Sequence, residues 1–365
     1  MSKPNEREAL DSIAPYKPAK TIESVCRKYG LKSIVKLAGN ENRLGCSPQV
    51  ISALENFQGE FSYYPDTNYT RLREILTRKH NVNDAQLIFG NGSFELISLA
   101  AQTYLEKGDE AIISESTFGW YTNATLQMDA TPVYVPLKDF GINLEAMKET
   151  ITDKTKIIWI CNPNNPTGTV IPETELLSFI DSVPENILIV LDEAYIDFIE
   201  GGYIDTVDII RKHKNVLLLR TFSKLYGLAA FRIGYGIADE EILSCLHKVR
   251  LPINVNFAAY AAAVASLEDV EFKEKVLKHN RNSLDFYYRE LDNLGLKYVR
   301  SNCNFIIVET GIDGGYVEEE FLKRGYMIRN GEEFGLKNYV RISIGTEEEN
   351  AEVIKILKDI LKGES

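Results

Sequence analysis

No stretch of this chain is apolar for long enough to cross a bilayer. Runs such as FAAYAAAVASL (Phe257–Leu267) fall far short of the ~20 residues a membrane helix needs. The opening MSKPNEREALDS lacks the apolar segment of a secretory signal, which sets the expectation of a cytoplasmic protein. Paired cysteines are absent too. The five present (Cys26, Cys46, Cys161, Cys245 and Cys303) are odd in number and form no C-x-x-C. The four histidines (His80, His213, His247 and His279) are scattered, with no H-E-x-x-H. Neither a disulfide scaffold nor a zinc site is supported; reduced core thiols and no metal are expected. A Lys/Arg-rich block is also missing, and with a net charge of -12 this argues against nucleic acid as a partner. No internal repeat or low-complexity linker divides the chain.

What is present is an ordinary globular composition, 44% hydrophobic and 26% charged, in 365 residues, too long for one small core. From about Ser47 to Arg250, short apolar runs alternate with amphipathic stretches. QLIF (86–89), AIIS (111–114), KIIWIC (156–161), ILIVLD (187–192) and VLLLR (216–220) have the character of strands buried on both faces. Between them, SFELISLAAQTYLEKG predicts a helix with Ser93 as N-cap and Gly108 as its stop. This alternation predicts an α/β fold around a mostly parallel sheet covered by helices. After Asn256 the texture changes. A helix is predicted over about Val270 to Leu294, then NFIIVE, YMIRN and YVRISIG alternate as strands with one exposed face, and a helix closes the chain from about Glu347 to Leu361. The expected division is an N-terminal segment, 1–40, docking on the smaller domain; a large α/β domain, 41–256; and a small α+β domain, 257–365.

In an open parallel sheet, ligands sit beyond the carboxyl ends of the strands, and four of the apolar runs end in something specific. GNGSFE (Gly90–Glu95) turns tightly into a helix whose Gly92, Ser93 and Phe94 amides suit a phosphate. Glu95 stands where a dinucleotide fingerprint has its third glycine, while Glu115 lies at a spacing suited to a ribose carboxylate; a plain glycine turn also fits. NPNNPTGT (Asn162–Thr169) is a compact turn that neither strand nor helix can hold, and Asn165 before Pro166 is placed for a cis bond that aims its amide at a ligand. LDEAY leaves Asp192 where a buried strand emerges, so it must meet a cation, a metal or several donors, or else cap the next turn; Tyr195 can reach the same place.

RTFSKLYGLAAFR sets Lys224 between NVLLL and LYGLAAF. An ammonium in such company needs a paired anion, a depressed pKa or covalent use, unless it snorkels to solvent. Thr221, Ser223 and Arg232 form a set suited to a phosphate dianion. One ligand answers to an amine, a buried carboxylate, a phenol, an amide and two phosphate-binding elements: pyridoxal 5'-phosphate. Lys224 would condense with its aldehyde, and Asp192 would keep the pyridine nitrogen protonated so that the ring can accept electrons. Asn165 and Tyr195 would hydrogen-bond the ring oxygen, and the Gly92, Ser93 and Phe94 amides would join Thr221, Ser223 and Arg232 on the phosphate. Phe118, in STFGWY, is placed either to stack on the ring or to fill the core.

NPNNPTGT, DEAYIDF, RTFSKLYGLAAFRIGYG and VRISIGT in this order, with LAGNENRLG (Leu37–Gly45) and YYPD (Tyr63–Asp66) upstream, resemble the fold-type I PLP-dependent aminotransferases. The likeness runs from about Tyr16 to the C-terminus and is strongest to the histidinol-phosphate aminotransferase branch, which serves histidine biosynthesis. It implies the PLP-transferase fold, with Lys224 as the Schiff-base lysine and Asp192, Tyr195, Asn165 and Arg232 around the cofactor. It implies a homodimer in which Tyr64 reaches the partner's cofactor phosphate. Arg341 would grip the substrate's anionic group, helped by Arg329 and Tyr16, with Asn40 at the mouth of the site. The activity implied is transamination between L-histidinol phosphate and 2-oxoglutarate, giving imidazole acetol phosphate and L-glutamate. From the residues alone Arg341 stays open, because Val340, Ile342 and Ile344 share one face and an arginine on the other is as well explained by solvent.

Four stretches depart from the family pattern. Arg43 follows Asn42 where proline is usual, Phe94 replaces an acid, Phe118 stands where tyrosine is common, and AAFR replaces Ala-Gly-Leu-Arg. None touches Lys224 or Asp192; Arg43, Phe94 and Phe118 bear on the substrate. An aromatic amino acid donor, or decarboxylation of a phosphorylated amino acid, is the rival on this fold. From other classes, a nucleotide-binding oxidoreductase built on GNGSFE and Glu115, or a silent ligand-binding regulator, stands beside them.

Overall fold

A computed structural model describes residues 5–15, 20–57 and 62–363. Its centre is a seven-stranded sheet. Across the sheet the strands run Leu87–Gly90, Gly234–Ala238, Val216–Thr221, Leu188–Asp192, Thr155–Cys161, Glu110–Ser114 and Thr131–Val135. Only Gly234–Ala238 lies antiparallel to its neighbours; the remaining pairings are parallel. The apolar runs are continuous because both faces are covered. Ile158, Ile160, Ile189, Leu191 and Leu218 join one apolar cluster, and the alternate residues Ile157, Trp159, Val190, Leu217 and Leu219 join another on the opposite face.

The five predicted strands are present within one or two residues, and two more complete the sheet. Thr131–Val135 is an edge strand with Thr131 and Tyr134 exposed. Gly234–Ala238 is disguised by its glycines, yet the fold needs them: a Cβ on Gly234 would lie 2.5 Å from the Ser93 amide nitrogen, and one on Gly236 would lie 3.0 Å from Ile88. The helix after GNG spans Ser93–Tyr104, capped not by Ser93 but by Gly92, whose φ of 75° only glycine takes readily. It ends at the extended Leu105 rather than at Gly108, which turns later with φ 90°.

Beyond the sheet, the long helix spans Val270–Leu294, capped by the Asp269 side chain and stopped by Gly295 in the left-handed region. A four-stranded antiparallel sheet follows, in the order Arg329–Asn330, Tyr339–Ser343, Phe305–Glu309 and Lys297–Val299, and Glu347–Gly363 is the last helix. Tyr287, Ile306, Phe321, Val340 and Ile342 centre its core. Val35–Lys36 pairs in parallel with Tyr326–Met327, and Val25 and Ala38 share a cluster with Leu322 and Met327, whereas Arg7 and Glu8 reach Gln127 and Lys107 beside the large sheet; the described part of the N-terminal segment thus touches both halves rather than the smaller one alone. The helix Phe257–Glu268 packs Ala259, Ala262 and Ala263 into the core of the large sheet. No described helix is long and apolar enough to cross a membrane.

Candidate active site

The strand ends after Cys161, Asp192 and Thr221 open onto one cavity of about 560 Å³. Asn40, Ser93, Phe94, Phe118, Asn165, Asp192, Tyr195, Thr221, Ser223, Lys224, Arg232, Arg329 and Arg341 all line it. The sequence expectations for these residues therefore converge on one place, built from segments as far apart in the chain as Asn40 and Arg341. Gly92 lies just behind the lining. Tyr64, at 84% exposure, does not border this chain's cavity, and Tyr16 lies outside the described residues. Glu115 is not among the lining residues either.

Lys224 does not snorkel. Its Nζ donates to the Gly39 carbonyl at 3.0 Å and sits 5.6 Å from the centre of the Tyr195 ring. Burial, and then the Arg341 guanidinium, bring its pKa down to about 8, with Glu41 acting the other way. Asp192 is buried where its strand ends; its Oδ2 accepts from the Tyr121 phenol at 2.8 Å and its Oδ1 from the Ala194 amide at 3.1 Å. Burial pushes this carboxyl up to about 6, while the two donors favour the charged form. The Tyr195 hydroxyl accepts from Asn40 Nδ2 at 2.9 Å, and burial holds the phenol well above its usual range.

Asn162–Pro163 and Asn165–Pro166 are both cis. Asn165 Oδ1 accepts from Arg341 Nη1 at 2.5 Å, and Arg341 Nη2 donates to the Ala38 carbonyl at 2.7 Å. Arg341 is only 5% exposed, between the Phe305 and Phe334 rings, and its Nε has no partner among the described residues. The face opposite Val340 and Ile342 thus points into the cavity rather than to solvent. Arg329, half-buried, is paired with Glu333 at 2.8 Å.

Arg232 adopts φ 58° and folds its guanidinium over the GNG turn, where a Cβ on Gly92 would lie 2.4 Å from Nη2. Its Nη1 donates to the Ala229 carbonyl at 3.0 Å and reaches Ser223 Oγ at 3.4 Å. With the Ser93 helix start and the Thr221 and Ser223 hydroxyls, this makes a cradle of hydroxyls, amides and one guanidinium suited to a dianion. Phe118 borders the cavity and meets Phe94 and Tyr121 edge-on, at 5.8 and 5.5 Å. Phe94 lies against Trp120 at 4.4 Å.

Sequence reasoning missed three contributors. Tyr121 follows Phe118 by three residues on the same turn, a helical spacing visible in STFGWY. Glu41 lines the cavity, pairs with Lys36 and keeps Oε2 without a partner among the described residues; GNEN carries no signal for that. Ser343 donates to Asn40 Oδ1 at 3.0 Å and so supports the Asn40–Tyr195 bond across the two sheets. Among the described residues, no cluster of His, Cys, Asp and Glu is arranged to hold a metal ion.

Residues 32–357 match the aminotransferase class I and II family. A histidinol-phosphate aminotransferase of Caldicellulosiruptor saccharolyticus is 42% identical over 97% of this chain and 99% of its own. One of Moorella thermoacetica is 42% identical over 98% and 93%. Among solved structures, the histidinol-phosphate aminotransferase of Sinorhizobium meliloti in complex with pyridoxal-5'-phosphate superposes with a TM-score of 0.92 over 100% of this chain and 99% of that one. At 24% identity that likeness shows the fold alone.

Proposed function

The chain belongs to the aminotransferase class I and II family, and from this premise we propose that it transfers the amino group of L-histidinol phosphate to 2-oxoglutarate, with pyridoxal 5'-phosphate as cofactor. One observation carries the reading: a half-buried amine of lowered pKa (Lys224) and a buried carboxylate (Asp192) line the same cavity as a dianion cradle. The donor set fits the cofactor. Thr221, Ser223, Arg232 and the amides at Ser93 and Phe94 would hold its phosphate, and Asn165 and Tyr195 its ring oxygen. Asp192 would meet its ring nitrogen, and Phe118 its face. When bound, the cofactor supplies an electron sink for the carbanion formed at the amine-bearing carbon.

The chain's own residues do the rest. A pKa near 8 leaves roughly one Lys224 in ten neutral at pH 7, against about one in three thousand for an unperturbed lysine. That amine takes the proton from the amine-bearing carbon, kept in place by the Gly39 carbonyl. Arg341, with a free Nε, binds the substrate's anionic group, and Arg329 and Tyr16 assist it at the mouth.

The finer assignments belong to the same proposal. The chain works as a homodimer, with Tyr64 reaching the partner's cofactor phosphate; the exposure of Tyr63, Tyr64 and Leu251 supports such a surface. Segments 1–40, 41–256 and 257–365 act as docking segment, cofactor domain and small domain, with the helix Phe257–Glu268 at the start of the last segment packed on the cofactor domain. The compartment is the cytoplasm, in keeping with five free cysteines. The test is borohydride reduction of the loaded enzyme followed by peptide mass analysis, together with Lys224→Ala. A pyridoxyl group fixed on Lys224, and turnover abolished by the substitution, are expected. Label elsewhere, or substantial surviving transamination, overturns the proposal. Mixing the loaded enzyme with histidinol phosphate or phenylalanine and following its visible absorbance separates the donors.

A further inference from the structure

Tyr121 takes no part in the scheme so far, yet it touches two of that scheme's members. Its side chain is fully buried, its ring lies nearly parallel to Trp159 (5.2 Å, 8°), and Phe118 meets it edge-on. Its phenol donates to Asp192 Oδ2 at 2.8 Å. The Ala194 amide holds the other carboxylate oxygen, so turning the carboxylate out of its present orientation would break both bonds. We propose that Tyr121 is a positioning residue for Asp192: its phenol fixes the carboxylate in the orientation that meets the ring nitrogen of the bound cofactor. This rests on the function proposed above.

The choice of a phenol has a physical logic. Asp192 is isolated from solvent, and burial alone favours its neutral form. An arginine or lysine in place of Tyr121 would hold the carboxylate ionised but would also neutralise it. A phenol donates a hydrogen bond and leaves the whole negative charge for a protonated ring nitrogen. Stacking on Trp159 fixes the ring that carries the hydroxyl, and the edge contact to Phe118 ties that carboxylate to the residue expected on the cofactor's face.

Tyr121→Phe keeps the ring and removes only the donor. A hydrogen bond to a charged group contributes about 1.5–3 kcal/mol, so roughly a tenfold or greater loss of pyridoxal phosphate affinity is expected. kcat should fall while KM for the amine donor holds. The decisive comparison is the carbocyclic analogue of the cofactor, with CH in place of the ring nitrogen. If Tyr121 acts through Asp192, the substitution leaves the affinity for the analogue unchanged. Equal loss of both ligands, or of neither, overturns the inference. Should Tyr121→Phe not fold, 3-fluorotyrosine at position 121 preserves the shape and strengthens the donor: a shift confined to the natural cofactor supports the role, and no shift overturns it. A parent protein that takes up no pyridoxal phosphate overturns the proposed function and this inference with it. A parent that binds it and is indifferent to Tyr121→Phe overturns this inference alone.

Discussion

At the scale of single residues, Arg341 shows what alternation in a sequence can and cannot say. The pattern YVRISIG placed Val340 and Ile342 on one face and Arg341 on the other. It could not tell a water-facing side from a cavity-facing one, because both accept a polar residue at every second position. The structure resolves it: the guanidinium is buried, bonded to Asn165 and Ala38, with Nε left over. Arg341→Ala is expected to lower kcat/KM for an anionic donor at least a hundredfold while changing cofactor affinity by only a fewfold, measured by steady-state kinetics and cofactor titration; equal loss of both rejects the substrate role. Gly92 is a second such position. Its φ of 75° and the 2.4 Å approach of Arg232 to a would-be Cβ leave an alanine no room, so Gly92→Ala should displace the guanidinium and weaken cofactor binding about tenfold or more. A protein that folds and binds the cofactor normally would contradict this. Tyr121 was legible only in part: its spacing from Phe118 places it at the site, but its bond to Asp192 depends on which strand end lies across from it, which local spacing does not hold.

At the scale of elements, the buried strands were legible because a strand covered on both faces must be apolar along its covered length, and residues 157–161 and 188–191 are. What escaped were elements whose residues answer to a neighbour rather than to their own backbone. Gly234 and Gly236 weaken any strand signal, yet they let the antiparallel strand approach the Ser93 turn and Ile88. The segment 37–46 is another case, since nothing in LAGNENRLG announces that it joins both halves of the site. It receives Lys224 Nζ on the Gly39 carbonyl, sends Asn42 Nδ2 to the Leu225 carbonyl at 2.9 Å, and meets Ser343 and Arg341 on the other side. Gly227 marks the closest approach: with φ 70°, its Cβ would lie 2.0 Å from the Gly45 carbonyl oxygen. Gly227→Ala must separate the two loops, with an expected stability loss of more than 1 kcal/mol and loss of cofactor retention, read by thermal unfolding and by absorbance of the purified protein. Arg43 pairs with Glu349 across the same gap, but the pair is partly exposed. Arg43→Ala should cost no more than about 1 kcal/mol, and a larger loss would mean that the pair does more than its exposure allows.

At the scale of the whole molecule, the unloaded protein carries one buried and one partly buried charge that its cofactor would compensate, and this predicts how its stability varies with pH. Lys224 has its pKa lowered from 10.5 to about 8. Between these values the unfolded chain binds more protons than the folded one, so stability rises with pH across that window, and the penalty is present in full below pH 8. At 1.36 kcal/mol per unit, its upper bound is about 3 kcal/mol. Asp192 runs the other way. Its pKa is raised from 3.8 to about 6, so the folded chain holds the extra proton, and stability falls as pH rises from about 4 to 6. Both penalties therefore coincide between pH 6 and 8. Removing the amine without removing its volume should relieve one of them. Lys224→Met is expected to unfold several degrees above the cofactor-free parent at pH 7, with the gap narrowing as pH rises from 8 to 10.5, because across that window the folded parent has already lost the proton and the unfolded chain is losing its own. Thermal melts of the two cofactor-free proteins from pH 6 to 10.5 test this directly. A Lys224→Met variant no more stable than the parent at pH 7 would mean that the amine sits in the cavity at no cost, and that burial has not prepared it for covalent use.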